Sequence, residues 1–192
     1  MHFKIGAPAD DAILLKNPTK LMPQPIEHLA LFGTVLGVLF VIAVFLPLGL
    51  WGAVHAWSQS VPALHALGLF LAIMLAHEAL HMVAYQGFNW RQRGTFGIIP
   101  KAFMAYAYYP FVVSRSKFIF AAALPSLALT GLPLAFHLAG HSLFEYDLAL
   151  AALNALVSGG DLFIIWTTLK KVPSGMRIQS SGTSEYWGDP AY

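Results

Sequence analysis

Residues 63–86 read ALHALGLFLAIMLAHEALHMVAYQ, apolar apart from His65, the terminal Gln86 and the group His77-Glu78-Ala79-Leu80-His81. At ~1.5 Å rise per residue a helix of this length covers about 36 Å, enough to cross hydrocarbon about 30 Å thick. Positions four apart lie on one helix face, so the imidazoles of His77 and His81 converge on one point with Glu78 beside it. This is the HExxH pattern, in which two histidines hold a zinc ion and the glutamate acts on a water molecule. An ionised carboxylate inside a bilayer costs roughly 2.5–3.5 kcal/mol, so Glu78 needs a functional reason to be there. Two histidines hydrogen-bonded across a helix contact are the structural alternative, and that alternative supplies no such reason.

Working outward, three more stretches, about 29–51, 118–138 and 148–169, are apolar and long enough to cross a membrane. The expected fold is therefore an all-α polytopic membrane protein of four transmembrane helices, forming one domain over 1–192. Composition agrees: 57% of the residues are hydrophobic and 10% charged, against about a quarter charged in soluble domains. So little charge also excludes disorder and nucleic-acid binding as primary readings. With no cysteine in the chain, disulfides, thiolate ligands and cysteine nucleophiles are excluded, leaving His, Asp and Glu as the strong metal ligands.

The positive charges sort by loop. Lys4, Lys16 and Lys20 precede the first span, Arg91, Arg93, Lys101, Arg115 and Lys117 lie between the second and third, and Lys170, Lys171 and Arg177 follow the fourth. The loops at about 52–62 and 139–147 contain no Lys or Arg, which places both termini in the cytoplasm of a multi-pass cell-membrane protein. The polar leader 1–28, with Pro8, Pro18, Pro23 and Pro25, is too long and polar for a signal peptide. The first span is thus expected to be retained, despite the cleavage-like Val54-His55-Ala56. Between the second and third spans, residues 95–113 are rich in aromatic and β-branched side chains (Phe96, Ile98, Ile99, Phe103, Tyr106, Tyr108) and predict one or two short strands at the membrane surface. The Ser- and Gly-rich residues 170–192 read as a mobile cytoplasmic tail.

Besides Glu78 the spans hold one acid, Asp161. His77 and Asp161 lie about 14 and 13 residues into helices that run the same way, depths that agree within a turn, so the acid can serve as the third ligand of a hydrolytic zinc site. The small pair Gly159-Gly160 before it would let the two helices approach closely. Asn154 shares a face with Ser158 and Asp161. Its amide offers either a hold on a substrate carbonyl or developing oxyanion, or a helix–helix hydrogen bond. His55, His137 and His141 fall at the outer loops and read as interfacial, and His65 lies near the outer surface.

On these residues the sequence resembles the intramembrane zinc metalloproteases of the site-2 protease type, and more closely the small bacterial membrane proteins grouped as zincin peptidases. The shared features are His77-Glu78-x-x-His81, a β-prone segment after it, and Asn154 with Asp161 in a later helix, over about 29–169. The sequence departs from site-2 proteases in lacking a proline between Asn154 and Asp161 and a glycine after the acid. The resemblance implies a zinc-dependent endopeptidase acting on a peptide or membrane-protein substrate, with membrane lipid around it. Zn2+ is held by His77, His81 and Asp161, and Glu78 and Asn154 are the catalytic groups. A metal-binding transport or accessory protein without protease activity is the alternative. It would more naturally show an internal repeat or polar residues in several helices.

Overall fold

The computed structural model describes residues 2–22, 26–52, 55, 61–87, 94–102, 104–141 and 146–190, with backbone alone for 26–29 and 102. Pro23, Pro25, Val54, Ala56, Arg91, Arg93 and Phe103 lie outside the described residues. In chain order the elements are β1 (His2–Ile5), β2 (Leu15–Lys20), α1 (Ile26–Phe45), α2 (Ala63–Gln86), β3 (Thr95–Ile99), β4 (Met104–Tyr108) and β5 (Val113–Ser114). They continue as α3 (Arg115–Ser126), a π-helical turn (Leu127–Gly131), α4 (Leu132–Leu138), α5 (Asp147–Val157), α6 (Gly159–Lys171), β6 (Arg177–Ser181) and β7 (Ser184–Pro190).

The all-α, four-span expectation is overturned: this is a mixed α/β protein with two sheets. Two described helices are long and apolar enough to cross a membrane, Ala63–Gln86 and Arg115–Leu138, or three if α5 and α6, bent 49° at their junction, count as one. The expected first span contributes a shorter apolar helix, Ala30–Phe45.

The leader and the tail account for most of the missed strand. One sheet has the order β1-β3-β4, with β1 parallel to β3 and β4 antiparallel to it. The other runs β2-β7-β6-β5, all antiparallel. The tail forms a β-hairpin: Ser181 pairs with Ser184 across Gly182-Thr183, and Gly182 takes φ +57°, the left-handed conformation such a two-residue turn requires. The β2 strand tolerates Pro18 because it is the outer strand of its sheet, where a missing N–H breaks no ladder. Its register shifts between Lys16 and Thr19, with Asn17 at φ +47°.

Two cores support this frame. One, of Leu21, Met22, Val113, Phe118, Val172 and Ile178, joins the second sheet to the helix ends. The other packs Phe45 and Leu134 against Leu148, Ala151, Ala152 and Ala155 of α5; small side chains there let the helices approach closely. Outside these cores α2 is turned inside out relative to a helix in water. Leu64, Leu67, Leu71 and Leu75 are exposed along one stripe, while His77, Glu78 and His81, in its C-terminal half, are buried.

The glycine pair also works differently from expectation. Gly159 packs against α1: a side-chain carbon there would strike the backbone of Gly33 and Gly37, and one on Gly37 would strike the Leu156 carbonyl. Thus Gly159 seats the α5–α6 bend on α1, and Asp161, two residues on, is carried toward α2.

Candidate metal centre

His77 and His81 lie one turn apart on α2, with ring centroids 4.9 Å apart and planes nearly perpendicular. His77 Nε2 lies 2.9 Å from Asp161 Oδ2, and His81 Nε2 lies 3.3 Å from Asp161 Oδ1. One ligand-type atom from each of His77, Glu78 and His81 falls within 4.8 Å of the others. All three side chains are buried, and Asp161 brings its carboxylate from the first turn of α6.

The other ring nitrogens show where one proton of each ring sits. His81 Nδ1 lies 2.8 Å from the Ala121 carbonyl, which can only accept, so Nδ1 carries the hydrogen. That carbonyl is available because the residue four positions on, Pro125, lies inside α3 and has no N–H to claim it. His77 Nδ1 lies 2.9 Å from Asn154 Oδ1. The amide orientation follows from its other partners: Asn154 Nδ2 donates to the Pro125 carbonyl at 3.2 Å, to Thr130 Oγ1 at 3.0 Å and to Ser158 Oγ at 3.3 Å. Each hydroxyl donates to a backbone carbonyl, Thr130 to Ala151 and Ser158 to Asn154, and so turns a lone pair to the amide. His77 Nδ1 is therefore also a donor.

With Nδ1–H of both rings committed elsewhere, it is Nε2 that each turns to the buried Asp161 carboxylate, and in their neutral form the two imidazoles face it with bare lone pairs. Three electron-rich atoms facing one another in a buried site call for a cation between them. Two imidazole nitrogens and a carboxylate oxygen are a ligand set that suits zinc, and the Nδ1 partners orient the rings as outer ligands do around bound metals.

Glu78 points elsewhere, toward the sheet, where the backbone N–H of Ala107 on β4 hydrogen-bonds its carboxylate. Glu78 and His77 form part of the wall of a cavity of about 450 Å³, which is also lined by Phe70 and Met74 of α2, by β4, and by Ser180, Thr183 and Glu185 of the tail hairpin. The leader and tail are stitched across this cavity. The Tyr108 hydroxyl donates to Asp11 at 2.5 Å and lies 3.2 Å from the Ser180 carbonyl, while Gln179 bonds Leu14, Ala12 and Pro110.

The structure therefore brings together His77, Glu78, His81, Asn154 and Asp161. His55, His65 and His141 are exposed and His137 half-buried; none is among the residues lining this cavity. Sequence reasoning missed the Ala121 carbonyl, Thr130 and Glu185. For the first there was a signal: a proline inside an apolar helix frees the carbonyl four residues earlier.

Asn154 is the hub of this arrangement, and its truncation has a defined cost. Asn154→Ala leaves His77 Nδ1–H without an acceptor, and zinc affinity is expected to fall about 10–100-fold. Competition titration against a chromogenic chelator checks this, with unaltered affinity as the contrary result.

A sequence profile for the family described as "putative zincin peptidase" matches residues 70–177, more than half of the chain. No curated protein and no solved structure matches it.

Proposed function

The chain belongs to the zincin peptidase family, and from that premise we propose that it is an intramembrane zinc endopeptidase of the site-2 protease type. The family implies zinc, and the His-Glu-His group is positioned to bind a metal ion. The observation that carries the reading is the convergence of His77 Nε2, His81 Nε2 and Asp161 with both Nδ1 protons committed elsewhere. His77, His81 and Asp161 would hold the ion. When bound, zinc supplies Lewis acidity, acidifying water and polarising a peptide carbonyl.

The chain's own groups do the rest. Glu78, beside the metal position and facing the cavity, takes a proton from the attacking water and returns it to the leaving amine. Asn154 and the Ala121 carbonyl act through the ligands by holding their rings. Since the Asn154 amide hydrogens point at Pro125, Thr130 and Ser158, we assign this residue to positioning rather than to the oxyanion. Among the described strands β4 pairs only with β3, so its outer edge can pair with an extended substrate segment next to Glu78.

Support for the membrane setting comes from the exposed leucine face of α2 and the apolar helices. His77 lies nine residues before Gln86, hence ~14 Å from the helix end that leads into the sheets. The described Lys and Arg residues flank or lie in the strands, which supports a cytoplasmic position for the sheets in this reading.

Full-length protein in detergent micelles tests the proposal. A peptide substrate should be cleaved, cleavage should stop on zinc chelation, and it should return on adding one equivalent of zinc. Cleavage that persists after complete metal removal would contradict it.

A further inference from the structure

The cavity beside the metal centre carries a second acid that hydrolysis does not need. Glu185 lies on β7, where its carbonyl accepts from Leu21 N–H, and it helps line the same cavity as His77 and Glu78. No Lys or Arg is among the described lining residues, and no described cation lies within ion-pair distance of the Glu185 carboxylate. Lys20, on the neighbouring β2, is the cation whose field reaches it, and burial nonetheless pushes the carboxyl up to about 7. The rest of the wall is mostly apolar, from Phe70, Met74 and Ile99 to Phe163 and Ile164. An acid without a cation in such a place is costly unless something brings the cation.

We propose that Glu185 forms a subsite for a basic side chain, lysine or arginine, of the peptide held in the cleft. This rests on the peptidase reading and adds a substrate class to it. Glu78, β4 and Glu185 of the tail hairpin line one cavity, so a lysine or arginine of a peptide lying along β4 would meet Glu185 in the same cleft that brings the scissile bond to the metal centre. The cation supplied by the substrate completes a charge pair that the fold leaves half made, in surroundings where a charge-assisted hydrogen bond is strong.

The test separates this from the catalytic assignment by reading binding and cleavage independently. Zinc-loaded full-length Glu78→Gln protein in detergent is titrated with N- and C-capped peptides identical except for Lys, Gln or Glu at one scanned position. At the position that reaches the subsite, the Lys peptide should bind about tenfold more tightly than the Gln peptide. The preference should vanish when Glu185→Gln is added and turn toward the Glu peptide with Glu185→Lys. Circular dichroism establishes that each variant is folded. Equal affinities at every position, or a Lys preference unchanged by either substitution, overturn the subsite. Uncapped peptides of the Gln series show whether a free α-amine is bound instead; a Glu185-dependent gain for these alone also overturns it. Wild-type protein is assayed for cleavage of the same peptides. Glu185-dependent binding without cleavage leaves the subsite standing and removes the peptidase reading.

Discussion

Glu78→Gln is expected to lower kcat/KM for peptide cleavage about 1000-fold while leaving zinc content at about one per chain. Glutamine has nearly the same shape, and its side-chain oxygen still accepts from the Ala107 N–H that holds Glu78 against β4. The contacts of Asp161 with His77 and His81 do not involve residue 78, so the ligand set is untouched. What glutamine lacks is a site that takes and returns a proton. Parallel elemental analysis and cleavage assays decide the matter. Turnover at the wild-type rate would remove Glu78 from the mechanism, and loss of zinc together with activity would make it a ligand.

The second large effect falls on metal binding. Asp161→Ala removes the carboxylate that, among the described residues, contacts both Nε2 atoms, leaving two imidazoles, one fewer than the three protein ligands usual in a hydrolytic site. Zinc in the purified protein should drop from about one per chain to below about 0.1 after dialysis, and cleavage should drop with it. His77→Ala should behave alike. Circular dichroism controls for folding, because Asp161 is nearly buried, with 12% of its side chain exposed. Zinc retained at full stoichiometry in folded Asp161→Ala protein would mean that another group closes the site.

How much of this was legible in the sequence differs from part to part for physical reasons. In α2, HExxH stands out because polar groups in an apolar run are costly and therefore few, and the same scarcity singled out Asp161 and allowed its depth to be compared. The leader and tail gave no comparable signal. Their pairing joins Leu15–Lys20 to Ser184–Pro190, and no local pattern encodes a partner so remote. Ser180, Ser181 and Gly182 look like disorder by composition, whereas Gly182 makes a tight turn and Ile178 enters the core. The four-span count failed where apolar length alone was the criterion. A bend at Ser158-Gly159 splits the last run, and the first yields a shorter helix. The outer support of the metal centre was hidden for another reason: the Ala121 carbonyl is backbone, invisible in composition, and only Pro125 marks it.

The sheet shared by leader and tail has a consequence for the order of folding. The β7 strand sits between β2 and β6, and hydrogen bonds such as Asp11 N–H to Ser181 Oγ span 170 residues of chain. Contacts of such long range form slowly, because the intervening chain must first be brought together. The α2 histidine pair needs only local helix formation, and Asp161 needs only the seating of α6. By contact range, the wall that the leader and tail add to the cleft is expected to form after the side chains for the ion have come together.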